Sequence, residues 1–142
     1  MTVDAPAWAV ELLRTARVGR LATVGGDGRP LVVPVCYAFD GVRVYSAVDP
    51  KPKRTRDLRR LRNIAANPLV SLVVDEYVEE WTQLRYIIVE GHADVLTEGA
   101  DFGQAIDLLI AKYPQYRALG LARDAGAVIR LAPDRLLHWR WS

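Results

Sequence analysis

Two glycine turns limit what this chain can fold into. Gly25-Gly26-Asp27-Gly28 and Asp40-Gly41 interrupt three extended apolar runs, Val18 to Val24, Leu31 to Phe39 and Val42 to Val48. Asp-Gly between alternating apolar residues is the strongest short-range hairpin signal, because the favoured tight turn needs positive φ at its centre. Links this short cannot hold a crossover helix, so strands that follow one another in this region must run antiparallel. The same glycines do not make a dinucleotide loop. GGDGRPL lacks the third glycine and leads into an extended segment with Pro30 and Pro34, not into a helix.

The remaining elements extend that pattern. A first helix is expected from a cap at Asp4, with Pro6 in its first turn and Ala9, Leu12, Leu13 and Ala16 on one face, closing near Arg17. A second runs from about Thr55 to Ala66 and is ended by Asn67-Pro68. Leu69 to Tyr77 and Leu84 to Leu96 read as long strands. A third helix then aligns Phe102, Ala105, Ile106, Leu109 and Ile110. After Pro114 and a turn-rich stretch, Ala127 to Leu131 and Leu136 to Trp141 read as two final strands. The order βββαββαββ predicts a mainly β (α+β) fold: an antiparallel sheet closed or nearly closed into a barrel, with peripheral helices. The 142 residues are expected to form one domain, 1–142, since no repeat, low-complexity tract or linker divides them.

Composition removes several function classes. With 51% hydrophobic and 25% charged residues the chain has the balance of a soluble globule. No apolar run reaches the ~20 residues needed to span a bilayer, and MTVDAPAWAV has neither a basic leader nor an apolar signal core; the expectation is a cytoplasmic protein without a membrane partner. A single cysteine, Cys36, rules out an internal disulfide and a cysteine-rich zinc site. Two histidines, His92 and His138, with no HExxH and no GxSxG, leave metallohydrolase and serine-hydrolase chemistry without parts.

Charge is concentrated in one place. The total is +2, but KPKRTRDLRRLR, Lys51 to Arg62, holds seven basic residues against Asp57 alone, a local +6, and the rest of the chain is therefore −4. Within the second helix, Leu58, Leu61 and Ala65 fall on one side and Arg56, Arg59, Arg60 and Asn63 opposite, so the apolar side is expected inward and the cationic side outward. Ahead of it, Pro50 and Pro52 stiffen the loop that carries Lys51 and Lys53. Rigid lysines beside a helix start suit a compact anion such as a phosphate. No aromatic residues interleave with the basic ones, which argues against a nucleic-acid partner.

These segments together resemble a known family. "RLATV", "GRPLVVPV", "VYSAVD" and the "KPK" loop running through "LRRLRNIAANP" follow one another in the order of the pyridoxamine 5′-phosphate oxidase-like split β-barrel superfamily, and more narrowly of its actinobacterial F420-dependent oxidoreductase branch. The resemblance covers essentially the whole chain and is most specific from Arg17 to Asp75. It implies an FMN-binding split-barrel type of fold and a homodimer with two flavin-type cofactors at the subunit interface. It also implies hydride transfer between coenzyme F420, or alternatively FMN, and a small organic substrate. A non-catalytic flavin- or tetrapyrrole-binding protein of the same fold is the other reading. By the resemblance, Val33, Pro34, Val35 and Cys36 lie along the cofactor ring, and Tyr45, Ser46 and Ala47 near the ribityl chain. Lys51 and Lys53 lie at the phosphate, with Arg56 and Arg59 as further anion contacts. The oxidases proper carry an Arg four residues before a Leu-Leu-Lys run where this chain has Val33 to Ala38, a departure that favours F420 over FMN. No catalytic acid, base or metal ligand is assigned, since the cofactor performs the hydride chemistry.

Other conspicuous residues read as structural. Cys36 is expected to be a small core or cofactor-facing residue, and His92 and His138 structural or surface groups. Asp75, Glu76, Glu79 and Glu80 form a solvated edge or, with Trp81 and Arg85, a segment that reaches over the partner's cofactor. Trp139 and Trp141, two apart, share one strand face and belong to core or dimer contact.

Overall fold

A computed structural model describes residues 4–48, 55–124 and 126–141, with 55–58 described by their backbone alone. The chain opens with α1 (Ala7–Thr15), whose cap position is taken by Pro6; no side chain caps it, and Ala9 and Val10 N–H groups bond the Pro6 carbonyl instead of an Asp4 carboxylate. β1 (Gly19–Val24) and β2 (Pro30–Val35) pair as an antiparallel hairpin across the glycine turn. There Gly28 adopts φ +77°, its N–H donating to the Gly25 carbonyl at 3.0 Å.

The expected strand from Leu31 to Phe39 is broken at Cys36-Tyr37. Its second part, β3 (Ala38–Phe39), turns at Asp40-Gly41 into β4 (Val44–Val48). β4 starts at Val44, not Val42, because the Asp40 carboxylate accepts from the N–H groups of Val42 and Arg43 at 2.8 and 2.7 Å and holds them in the turn. α2 (Thr55–Ala66), β5 (Leu69–Glu76), a 3₁₀ turn at Trp81–Gln83 and β6 (Arg85–Leu96) follow, then α3 (Ala100–Lys112) and the single turn α4 (Gln115–Ala118).

The chain ends in one strand, β7 (Ala127–Arg140), where two were expected. A bulge absorbs the interruption: Glu90 faces Arg135 and Gly91 faces Pro133, leaving Asp134 as the extra residue. Gly91 is required there, since a Cβ at this position would lie 2.1 Å from the Ala132 carbonyl oxygen.

All strand pairs are antiparallel and the sheet order is β2-β1-β5-β6-β7-β4-β3. The two terminal strands, β2 and β3, are separated in sequence only by Cys36 and Tyr37, so the sheet must curl until its edges meet. Inside the curl lie Leu21, Leu72, Val74, Ile87, Val89, Ile129 and Leu131, with fully buried Tyr37, whose hydroxyl donates to the Leu13 carbonyl of α1. A second cluster packs Phe102, Ala105, Ile106 and Leu109 of α3 against Ala38, Tyr45 and Val128. Ile110 is only partly buried beside it. The result is a curled antiparallel half-barrel with a split between β2 and β4.

Candidate functional site

The split is where the register of β3 and β4 runs out. Ala38 faces Tyr45 and Phe39 faces Val44; continuing that register would set Cys36 against Ala47 and Val35 against Val48. The break at Cys36-Tyr37 parts these residues, and a cavity of about 260 Å³ opens between them. Its walls are Pro34, Val35 and Cys36 on one rim and Ser46, Ala47 and Val48 on the other, with Arg60 from α2 and Tyr116, Leu119 and Leu121 from the segment after α3. The Ser46 hydroxyl donates to the Cys36 carbonyl at 2.9 Å, a bridge across the rims that helps to set their separation. β2 is a terminal strand of the sheet, so one row of its backbone groups has no ladder partner.

Five of the residues matched to a cofactor therefore meet here: Pro34, Val35, Cys36, Ser46 and Ala47. Val33 lies one residue outside, partly buried against the barrel core. Tyr45 turns to the opposite face of β4, into the α3 cluster, where its hydroxyl donates to Asp40 at 3.1 Å; burial, then the Asp40 charge, raises its pKa. Lys51 and Lys53 lie outside the described residues, as does the Arg56 side chain. Arg59 is half-buried and is not part of the cavity wall.

The outward orientation expected for the cationic side of α2 is not what the structure has. Arg60 is 9% exposed and Asn63 7%, with Ile64 buried beside them, while Ala65 is exposed. The reason is polar satisfaction inside: the Asn63 amide donates to the buried Thr23 hydroxyl of β1 at 3.0 Å, and the Arg60 side chain opens onto the cavity. A helix side that carries partners with it can turn inward despite its polarity. Sequence periodicity alone could not distinguish this from a solvated face. The α4 segment was also missed as a wall, although Tyr113, Tyr116 and Leu119 recur at three-residue spacing.

Electrostatically the cavity lining is mixed, polar and apolar in similar measure, and Arg60 is its cation among the described residues. Burial pushes the Tyr116 phenol up to about 12, helped by its neighbours Cys36 and Tyr113, so at neutral pH it remains a protonated donor. Behind Cys36, Lys112 is half-buried over the rings of Tyr37 and Tyr113, at 4.2 and 5.4 Å, and donates to the Ala16 carbonyl at 2.7 Å. Burial, then the Arg17 charge, lowers its pKa to about 8. No cluster of three metal-ligating side chains occurs among the described residues, and none of the described helices is long and apolar enough to cross a membrane. The polar set is thus a guanidinium and a phenol as donors, the Ser46 hydroxyl oxygen as an acceptor, and a strand edge, beside the apolar side chains of Pro34, Val35, Ala47, Val48, Leu119 and Leu121. That set suits a planar ring or polyol chain ending in an anion, and none of the described lining residues is a carboxylate or an imidazole.

The chain is similar to several known proteins. The chain is 33% identical over 91 residues to the 5a,11a-dehydrotetracycline/5a,11a-dehydrooxytetracycline reductase of Streptomyces rimosus, a match spanning 63% of each chain. An F420 reductase superposes with a TM-score of 0.66 at 26% identity, covering 94% of this chain and 98% of that one. The heme storage protein HutZ of Vibrio cholerae superposes with a TM-score of 0.71 over 99% of this chain and 95% of its own, at 18% identity, a likeness of fold. Residues 6–140 match the family described as pyridoxamine 5′-phosphate oxidase. With that match over nearly its whole length, and a half-barrel open along one seam, the chain belongs to the pyridoxamine 5′-phosphate oxidase family.

Proposed function

We propose that the protein is an F420-dependent oxidoreductase, moving a hydride between the deazaflavin and a small organic acceptor, and that it works as a homodimer. The observation that carries the reading is the buried Arg60 on the wall of a cavity built from the strand segments matched to the cofactor. A guanidinium in a low-dielectric wall favours an anionic or carbonyl oxygen through charge-assisted hydrogen bonds. When bound, the deazaflavin supplies the hydride. Arg60 and the Ser46 hydroxyl would hold its polar chain, the unpaired edge of β2 would meet ring carbonyls, and Lys51 and Lys53 would meet the phosphate. The reductase relative from Streptomyces rimosus supports the reaction class, and the F420 reductase neighbour supports the cofactor.

Homodimerisation has its own support. The cavity of one protomer, at about 260 Å³, is smaller than the roughly 300–1,000 Å³ of a complete small-molecule site, so a whole cofactor must extend beyond it. Beside it the outer face of the sheet is unusually apolar: Val32 is 60% exposed and Leu69 55%, and a 490 Å³ groove is lined by Leu69 with Ala22 and Ser71. Pro34 belongs both to this face and to the cavity rim, so a second copy on the face would wall the open side of the cavity.

Titration with F420 and with FMN at matched ionic strength tests the reading. Tighter binding of F420, with a dimer in light scattering at micromolar concentration, is expected. Equal or tighter FMN binding overturns the cofactor assignment, and a monomer overturns the shared site.

A further inference from the structure

At the far end of β7 the sheet carries a charge row that does not balance. Glu76 of β5 faces Arg85 of β6, and Arg85 faces Arg140 of β7, giving minus, plus, plus across three strands. Arg85 satisfies Glu76 through its Nε at 2.9 Å. Arg140 has no carboxylate partner among the described residues, and two like charges directly opposite each other in a ladder are destabilising. Both guanidiniums are nevertheless held in place, at 6.0 and 5.3 Å over the ring of Trp8. A cleft of about 460 Å³ opens here, lined by Glu76, Arg85, Arg140 and Trp141 with the chain at Thr82–Leu84, and its volume is in the range of complete ligand sites.

We infer that this cleft is a second binding site, for a small planar aromatic carboxylate. The net charge of Glu76, Arg85 and Arg140 is +1, which one carboxylate neutralises, restoring alternation along the row. A guanidinium held over an indole by cation–π attraction keeps N–H donors that can pair with a carboxylate through two parallel hydrogen bonds. Half-exposed Trp141, whose backbone N–H donates to the Leu84 carbonyl at 3.1 Å, supplies an apolar wall for the ring. The site shares no residue with the cavity at the split and does not depend on the cofactor reading.

The test is isothermal titration calorimetry of the full chain, without cofactor, using 2-naphthoate and its neutral counterpart 2-naphthylmethanol. Saturable naphthoate binding is expected, at least tenfold weaker in Arg140→Gln, unchanged in Arg29→Gln at the opposite end of the sheet, and at least tenfold tighter than binding of the alcohol by the wild type. No saturable heat up to millimolar naphthoate overturns the site. Equal binding by Arg140→Gln, or equal binding of acid and alcohol, overturns the carboxylate assignment and leaves an exposed aromatic patch.

Discussion

The two sides of the barrel solve the same problem differently. Along β5, β6 and β7 each strand is paired on both sides, and even the bulge at Glu90-Gly91 keeps the ladder running from Arg85 to Leu96. Between β2 and β4 the ladder stops, one serine hydroxyl bridges the rims, and a cavity takes the place of hydrogen bonds. A continuous ladder satisfies its backbone from within and leaves a ligand only side chains to meet. A split leaves backbone groups to be met by something else, and so couples recognition to the point where the fold is least self-sufficient.

That contrast is broken most forcefully at Gly91. A Cβ there would sit 2.1 Å from a backbone oxygen that cannot swing aside, so Gly91→Ala must part β6 from β7. The expected loss is about 3 kcal/mol or more in urea unfolding, at the severe end of point substitutions. A loss below about 1 kcal/mol would mean that the continuous side yields as easily as the split.

On α2 the comparison can be sharpened one residue pair at a time. Asn63→Ala removes the bond to Thr23 and leaves a buried hydroxyl unmet, so it should cost about 1–3 kcal/mol of stability. Arg60→Met should instead weaken F420 binding by about 1.5–3 kcal/mol, the range for hydrogen bonds to charged groups, while exposed Arg62→Ala changes it by well under 1 kcal/mol. Equal losses of binding for Arg60→Met and Arg62→Ala would reduce the cavity cation to part of a diffuse field.

The same contrast explains what was legible beforehand. Hairpin turns, alternation and the α2 boundaries are local, and the elements they announce are in the structure, Thr55–Ala66 to the residue. The break at Cys36-Tyr37 was not legible, because nothing in VPVCYAF distinguishes a strand that continues from one that parts where the curl closes. Nor was the fusion of the last two strands, since a bulge makes Pro133 tolerable in a way no local rule announces. Arg60 stood on the identified cationic side, yet the inward turn of that side is tied to the bond from Asn63 to Thr23, forty residues before Asn63 in the chain.

Where the two regions meet, pH should separate them. Lys112, wedged against Tyr37 and Tyr113 beside Arg17 and Cys36, has its pKa lowered from 10.5 to about 8, so between these values the unfolded chain binds the extra proton. Stability contributed by Lys112 is therefore fully present above 10.5 and is lost as pH falls through about 8. Tyr37, Tyr113 and Tyr116 act in the opposite sense: burial raises their pKa values above 10, so above that pH the unfolded chain ionises first and stability falls. Urea midpoints should rise from pH 7.5 to about 10 and then decline, and Lys112→Met should flatten the rise while keeping the decline. A midpoint that falls steadily from pH 7.5, or a rise unchanged in Lys112→Met, would contradict this account of the junction.

The smallest effect concerns two neighbours on one strand. Tyr45 and Ser46 are adjacent on β4 and so point to opposite faces. Tyr45 gives its hydroxyl to Asp40 within the α3 cluster, whereas Ser46 stands on the cavity rim. Tyr45→Phe should lose about 0.5–1.5 kcal/mol of stability, the net worth of one ordinary hydrogen bond, and leave F420 affinity as it is. Ser46→Ala should lower affinity several-fold, both by removing an acceptor from the wall and by releasing the bridge that spaces the rims. Paired titrations of the two variants decide the matter. If Tyr45→Phe weakens binding as much as Ser46→Ala does, the cofactor reaches the other face of β4, and the cavity at the split is not where its chain lies.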